Sequence, residues 1–268
     1  MMKTQAYTLL AASLVLLAGA WEAAGHELRA VASPFALAQP GEQATTHLAW
    51  GHGLDDHGEL DADALEQYAI VSPEGVATPL QAAGFSTHVN RLRLNEPGVY
   101  QVVAARHPAV LTFVFDAEGN RRFRRGPKSE VTEGRIDFAQ RSRHAAKALI
   151  VVGPPQPAAI EPAGLPVEIV PLDGPAQWRT GRDVRFQVLV EGEPAARELL
   201  LATYAGFEPE EAWCYAISTD REGIAVVRPQ QAGVWSVMVQ SRRLTSGETR
   251  EEYDFDSYTG TLTLEIRP

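Results

Sequence analysis

The sequence predicts an all-β fold with two immunoglobulin-like β-sandwich modules joined by a short helix and a proline-rich linker. Short runs of β-branched and aromatic residues recur between turn signals along most of the chain. A glycine turn enters a late strand in both halves, at Gly98-Val99-Tyr100 and at Gly233-Val234-Trp235. The second half also places seven predicted strands in about 100 residues, a density typical of immunoglobulin-like sandwiches.

The predicted strands follow the turn signals in each module. In the first module, residues 26–118, they are 44–50, 68–72, 91–94, 98–105 and 110–116. In the second module, residues 165–268, they are 167–171, 183–190, 198–205, 214–219, 224–228, 235–241 and 258–266. The turn at 219–223 has the composition of the hairpin turns that immunoglobulin-like domains use.

Residues 119–164 are interpreted as a connector between the modules. The basic run at 121–128 suits either an anion or membrane-surface site or a solvated face, and the acidic residues Glu130, Glu133 and Asp137 favour the solvated face. Residues 135–147 contain several alanines and other helix formers, which predicts a short connecting helix. Proline-rich residues 153–166 then predict an extended, semi-rigid linker.

The N-terminus has the order of regions found in a secretory signal peptide. Lys3 precedes an apolar run at 9–17, and small residues follow it. The apolar core has about ten residues, whereas a spanning helix needs about 20. Cleavage fits before Trp21 or before His26, and the polar spacer favours His26. Residues 1–25 are therefore the predicted signal peptide, and we expect a soluble periplasmic protein with no membrane span after signal removal.

Composition and motifs exclude several classes of function. The single cysteine, Cys214, allows no intramolecular disulfide in an oxidising compartment. The net charge of −10 argues against a nucleic-acid partner. The sequence has no nucleophile elbow, P-loop or His-Glu-x-x-His motif, so we expect no enzymatic activity.

Candidate metal ligands are confined to the first half of the chain, because all seven histidines lie between His26 and His144. Imidazole is the commonest protein ligand for transition metals. A glycine-containing loop at 50–61 brings together two imidazoles and several carboxylates. These predicted metal-site residues are His52, His57, Asp55 and Asp56. The alternative is a solvated acidic loop with surface histidines.

His26 is a further predicted ligand if cleavage leaves it as the first residue. Its α-amino group and ring nitrogen can then bind one divalent transition metal ion as a chelate. Cleavage before Trp21 would instead leave it an ordinary histidine near the terminus.

The remaining histidines have weaker claims to a metal. His47 is interpreted as a surface residue within a strand and His107 as a turn residue, whereas the spacing leaves His88 unassigned. His144 is excluded, because the predicted helix places it among Arg141, Arg143 and Lys147, whose positive charges disfavour a metal ion.

Several phrases of the sequence, in this order, resemble a periplasmic family that is catalogued as a domain of unknown function (DUF) and is associated with nickel uptake. The phrases are His26-Glu27-Leu28, Gly51-His52, Ser72-Pro73-Glu74-Gly75, Glu96-Pro97-Gly98-Val99-Tyr100, 144–153, 165–172, 219–223 and 231–235. The resemblance implies an N-terminal metal-binding module, an immunoglobulin-like C-terminal module and a role beside nickel or cobalt importers. By position, His26 and His52 match the family's histidines after the signal and after the first strand.

Three hypotheses for the function follow. The leading one is a periplasmic metal-binding accessory that captures nickel or cobalt for an inner-membrane metal importer. The second is a periplasmic copper-binding protein, since Cu(II) binds more tightly than nickel to most nitrogen sites. The third is a metal-free adhesion or carbohydrate-binding module.

Overall fold

The computed structural model describes residues 26–51, 58–83, 87–207 and 213–268. The predicted signal peptide, residues 1–25, lies outside them. The strands of the first half are β1 Glu27–Ser33, β2 Ala36–Leu37, β3 Gln43–Gly51, β4 Leu65–Val71, β5 Ala77–Pro79, β6 Asn90–Arg93, β7 Gly98–Arg106, β8 Ala109–Phe115 and β9 Arg121–Arg125.

The remaining strands are β10 Arg135–Val152, β11 Val167–Pro171, β12 Val184–Val190, β13 Glu193–Pro194, β14 Leu199–Tyr204, β15 Tyr215–Ser218, β16 Ile224–Val227, β17 Gly233–Leu244 and β18 Phe255–Ile266. The described part of the chain adds one short α-helix, α1 Thr249–Glu252, and three single 3₁₀ turns. The all-β prediction is confirmed. Within the described residues, no helix is long and apolar enough to cross a membrane.

The strands form three sheets, and the largest holds strands from both halves of the chain. Its main path runs β15-β14-β17-β18-β10-β7-β4-β5, with β2, β8 and β9 attached beside it. A smaller sheet, β1-β3-β6, packs on one face of it. The third sheet, built from β11, β12, β13 and β16, packs on the other face. The seven-stranded immunoglobulin-like module and the boundaries at 118 and 165 stay predictions.

Strand β10 is the centre of this arrangement, and the predicted helix at 135–147 is wrong. The strand spans 18 residues and pairs in parallel with β18 and antiparallel with β7 and β8. Ala145, Ala146 and Ala148 are fully buried because the large sheet is covered on both faces at this point. Small side chains suit that crowded position, and tertiary packing overrides the modest helix preference of alanine.

The two faces of β10 contribute to two different hydrophobic cores. Ala145 and Leu149 point into the core shared with β11 and β12. Ala146, Ala148 and Ile150 point into the core under β1 and β3. Alternation of side chains along a strand therefore makes one strand a wall of both cores.

All twelve predicted strands coincide with observed strands, and their ends differ by only a few residues. Prediction missed β1, which directly follows the predicted signal peptide, and β9, which lies in the basic run. It also missed the short strands β2, β5 and β13 and mistook β10 for a helix. The bias came from composition, because basic or alanine-rich segments have few of the residues that mark strands.

Candidate functional site

Trp50 lies near the end of β3, at the edge of the small sheet. In the sequence it directly precedes the predicted ligand loop that contains His52 and His57. The β1–β3 ladder pairs Leu28 with Trp50 and ends at the pair Glu27–Gly51. His26 precedes this last pair in the sequence, and His52 follows it. Side-chain hydroxyls of β18 hold β1 in place, since Thr261 and Thr263 donate hydrogen bonds to the carbonyl oxygens of Leu28 and Ala30.

The rings of His26 and His144 both contact Trp50. The ring centroids of His26 and Trp50 are 5.7 Å apart, with an interplanar angle of 80°. Those of Trp50 and His144 are 5.1 Å apart, with an angle of 73°. Both contacts have the edge-to-face geometry that aromatic rings prefer. The indole thus connects the start of β1 with the middle of β10. We call His26, Trp50 and His144 the histidine–tryptophan cluster.

His144 reaches this cluster because residue 144 lies in a strand. It is on the same face of β10 as Ala146 and Ala148, which point into the core under β1 and β3. Arg141 and Arg143 lie on the opposite face, where they pair with Asp256 at 2.6 Å and with Glu191 at 3.1 Å. The reason given for excluding His144 as a ligand was therefore wrong, since those arginines point away from it.

The positive charge that His144 does meet belongs to Arg106. The guanidinium carbon of Arg106 lies 4.1 Å from the centroid of the Trp50 ring. Burial, with a smaller contribution from the charge of Arg106, lowers the pKa of His144 to about 3. Burial and the nearby charge of Arg125 also lower the pKa of Arg106, which stays charged at neutral pH. His144 is consequently a neutral imidazole under physiological conditions.

One nitrogen of His144 has no hydrogen-bond partner in the described part of the protein. Its Nδ1 atom is buried, although the residue as a whole is partly exposed. Buried polar atoms usually have a partner, and leaving one without costs about 1–3 kcal/mol. A metal ion binds histidine only when the imidazole is neutral, and a nitrogen without a hydrogen-bond partner is available to it.

The described residues on either side of 52–57 both lie beside Trp50. Gly51 follows it in β3, and the backbone N–H of Gly58 donates to the carbonyl oxygen of Trp50 over 2.8 Å. The four predicted site residues of this segment, His52, Asp55, Asp56 and His57, lie outside the described residues.

Gly58 is required where the chain passes the indole. A Cβ atom at this position would lie 2.5 Å from Cδ1 of Trp50 and 2.8 Å from its carbonyl oxygen. We expect Gly58→Ala to displace the Trp50 ring, to cost about 1–3 kcal/mol of stability and to change the near-ultraviolet circular dichroism. The control is Gly75→Ala, where a Cβ meets nothing within 4 Å but φ is +82°, so it should cost stability without changing the near-ultraviolet signal of Trp50. An unchanged near-ultraviolet spectrum for Gly58→Ala would contradict the packing described here.

The other described histidines, His47, His88 and His107, lie at different places in the fold. His88 is buried, and its Nδ1 accepts a hydrogen bond from the backbone of Ala83. His107 is exposed, and its backbone N–H donates to Ala64. His47 is half-buried on β3, opposite Val31. Within the described residues, no three His, Cys, Asp or Glu side chains form a group that could hold a metal ion.

Sequence interpretation named His26 as a candidate ligand, which stays a prediction, and did not foresee the ring contacts of Trp50 with His26 and His144. The signal that could have found His144 is the alternation along 144–152. As a strand, that segment places His144 on the face of Ala146 and Ala148. Gly51 and Gly53, which both follow Trp50, could have marked it as a residue near the end of the strand.

These features define the protein as an all-β protein of layered sheets with a histidine–tryptophan cluster at the edge of its smallest sheet. The chain belongs to the family described as "Domain of unknown function (DUF4198)", whose sequence model matches residues 23–243. The match includes His26, Trp50 and His144. The family description assigns no function, and no curated protein matches the chain.

Several solved structures share weak similarity with the chain. The D0-D1 domain of intimin has 14% sequence identity and a TM-score of 0.22, with 90% of this chain and 98% of that chain covered. The human OSCAR ligand-binding domain has 13% identity and a TM-score of 0.22, with 90% and 100% covered. Red sea bream transglutaminase has 12% identity and a TM-score of 0.21, with 99% and 34% covered. TM-scores this low do not establish a shared fold.

Proposed function

We propose that this protein is a periplasmic metal-binding accessory that captures nickel or cobalt and passes it to an inner-membrane importer. The observation that carries the proposal is the histidine–tryptophan cluster, in which His26 and the neutral His144 flank Trp50. Nitrogen donors of this kind suit borderline divalent ions. The metal is cargo in this proposal, so the protein must both bind and release it.

The proposed metal ligands include His26 and His144, which the structure describes, and residues of 52–57, which are taken from the sequence alone. His144 offers a nitrogen that carries no proton at neutral pH, so binding displaces no proton there. If signal cleavage falls before His26, that residue adds a ring nitrogen and an α-amino nitrogen. His52 adjoins the last pair of the β1–β3 ladder in the sequence, and His57, Asp55 and Asp56 would support it from the same segment.

Arg106 works against a cation at this site and therefore sets its affinity. Its guanidinium is stacked on the same indole that the two histidines contact. A fixed positive charge beside a divalent ion is repulsive, and in a partly buried setting this repulsion is only weakly screened. Moderate affinity suits a protein that must release its metal to an importer.

The identity of the metal and its destination are proposed from the expected association of the family, inferred from the sequence phrases given above, with nickel uptake. Copper is the competing cargo, because Cu(II) binds more tightly than Ni(II) to a given nitrogen site. Competition between the two ions under buffered free concentrations distinguishes them. A Ni(II) or Co(II) complex that survives physiological concentrations of buffered copper supports the proposal, and displacement would favour copper handling.

The experiment is a nickel titration of the mature protein, beginning at His26, against a competing chelator. We expect one ion per chain, with affinity lowered about 10- to 100-fold in His26→Ala and in His144→Ala. Arg106→Gln is expected to raise the affinity roughly tenfold, about 1.4 kcal/mol, because it removes the repulsive charge.

The matched control is His107→Ala, since this histidine is exposed and has no ring contact with Trp50. Its affinity should equal that of the unaltered protein. Equal binding by all three histidine variants would contradict a site at the histidine–tryptophan cluster, and absence of stoichiometric binding would contradict metal capture altogether.

A further inference from the structure

A second surface combines aromatic side chains with arginines on one face of the large sheet. It lies where β9, β8, the first half of β10 and the ends of β18 and β17 run side by side. We call it the aromatic–arginine face. Its members are Leu111, Phe113, Phe115, Arg121, Phe123, Arg125, Arg135, Phe138, Arg242, Leu244 and Phe255.

The strand register places these residues on one side of the sheet. Phe123 pairs with Phe113, and Phe113 pairs with Phe138, which gives a row of rings across three strands. Phe255 continues the row, since it pairs with Leu244 on β17 and its ring centroid lies 5.9 Å from that of Phe138. Residues directly opposite each other in a ladder point to the same side.

The arginines lie over these rings. The guanidinium carbon of Arg121 lies 4.8 Å from the centroid of Phe113 and 5.0 Å from that of Phe138. Arg242 lies 5.6 Å from Phe138, and Arg135 lies 4.6 Å from Phe115. Cation–π contacts of this kind hold the guanidinium groups against the rings. Asp137 neutralises one of them, through a 3.2 Å ion pair with Arg121.

Large apolar side chains also project from this face. Phe123 is 60% exposed and Leu244 is 68% exposed. Exposure of such side chains costs free energy in water, and a cluster of them rimmed by charge is typical of an interaction surface. The chain as a whole carries a net charge of −10, so the arginines of this face are a local concentration of positive charge that attracts an anionic surface.

We propose that the aromatic–arginine face binds the surface of an anionic phospholipid bilayer. Arginine pairs bidentately with phosphate, so the guanidinium groups suit phospholipid headgroups. Phe123 and Leu244 lie at the two sides of the face and would enter the boundary between headgroups and acyl chains. This combination of charge and apolar contact holds the protein on a membrane without a spanning segment.

The same features disfavour a second copy of the chain as the occupant. Strand β9 is an edge strand, and four of its five residues are arginines. Two such edges would repel each other, because charged residues on an edge strand oppose strand-to-strand association. The proposal is independent of metal binding, and its test uses metal-free protein in the presence of a chelator.

The test is co-sedimentation of the mature protein with vesicles of phosphatidylcholine that do or do not contain phosphatidylglycerol. We expect binding only to the phosphatidylglycerol vesicles, weakening as salt is raised. Arg135→Gln/Arg242→Gln should weaken it about 30-fold, from the typical contribution of two arginines near an anionic surface. Phe123→Ser/Leu244→Ser should weaken it about tenfold or more through lost apolar insertion.

Matched controls change the same residue types on other surfaces. Arg182→Gln/Arg221→Gln removes two exposed arginines, and Val76→Ser removes a side chain that is 62% exposed. Both should leave vesicle binding unchanged. Far-ultraviolet circular dichroism verifies that each variant folds.

Three results would overturn the proposal. The first is an absence of binding to phosphatidylglycerol vesicles, and the second is equal loss of binding in the control variants. The third is a dimer, or a complex with a soluble acidic protein, that forms through Arg135 and Arg242 while vesicle binding is insensitive to Phe123→Ser/Leu244→Ser.

Discussion

Replacing Lys147 with methionine is expected to lower the free energy of unfolding by about 3–5 kcal/mol. The Nζ atom of Lys147 lies 2.6 Å from Oε1 of Glu168, and both side chains are 1% exposed. Burial lowers the pKa of Lys147, and the carboxylate of Glu168 opposes that shift. Without the ammonium group, Glu168 would remain as a buried charge with no cation beside it.

The same carboxylate fixes the segment that leads into β11. Glu168 accepts hydrogen bonds from the backbone N–H groups of Ala163, Gly164 and Leu165, at 2.7, 3.0 and 3.2 Å. The ion pair thus connects β10, in the middle of the large sheet, to β11 in the sheet of β11, β12, β13 and β16. Loss of Lys147 should loosen this connection as well as lower global stability.

Chemical denaturation measures the effect. The matched control is Arg228→Met, which breaks the pair of Arg228 with Asp183, where the side chains are 58% and 49% exposed. It should cost less than about 1 kcal/mol, because exposed ion pairs contribute little. A similar small cost for Lys147→Met would show that the buried pair does not hold the layers together.

The metal-free protein is expected to lose stability as the pH falls from about 6.5 to about 3, partly through His144. The pKa of His144 is about 3 in the folded protein, against an ordinary value of 6.5. Between these values the unfolded chain binds a proton that the folded protein does not. The free energy of unfolding therefore decreases with decreasing pH, and full stability from this residue is present above pH 6.5.

The size of this effect is about 2–4 kcal/mol, below the value that the full shift implies because the residue is partly exposed. Carboxylates also take up protons in this range. The informative quantity is therefore the difference in the free energy of unfolding between the unaltered protein and His144→Gln at each pH. Denaturation curves at several pH values, with a chelator present, should show a shallower pH dependence for His144→Gln. His107→Gln serves as the control, and identical curves for all three proteins would contradict the buried, neutral state of His144.

The sequence predicted the all-β class because its strands carry local signals that tertiary packing did not change. The β11 prediction, 167–171, matches the strand residue for residue, since an apolar run between prolines has few alternatives. For β10 the local signals were misleading. Its alanines favour a helix in isolation, but two sheets cover this segment, and the resulting burial of both faces is a property of the whole fold.

At the candidate site, too, local sequence signals did not indicate the contacts that the whole fold creates. His26 was named as a candidate ligand because its position after the predicted signal peptide is a local feature of the sequence, and its role as a ligand stays a prediction. His144 was rejected on the charges of Arg141 and Arg143, which a helix would place near it and a strand places on the other face. The distance in sequence from Trp50 to His144 also hides their contact, because nothing local indicates which strands the sheet brings together.

The central claim is that His26 and His144 bind one metal ion at Trp50. The most direct measurement is anomalous diffraction at the nickel absorption edge from crystals of the mature protein grown with nickel. We expect one anomalous peak per chain, with ring nitrogens of His26 and His144 about 2 Å from the ion. A peak at another position, or no peak in crystals whose protein begins at His26, would contradict the claim.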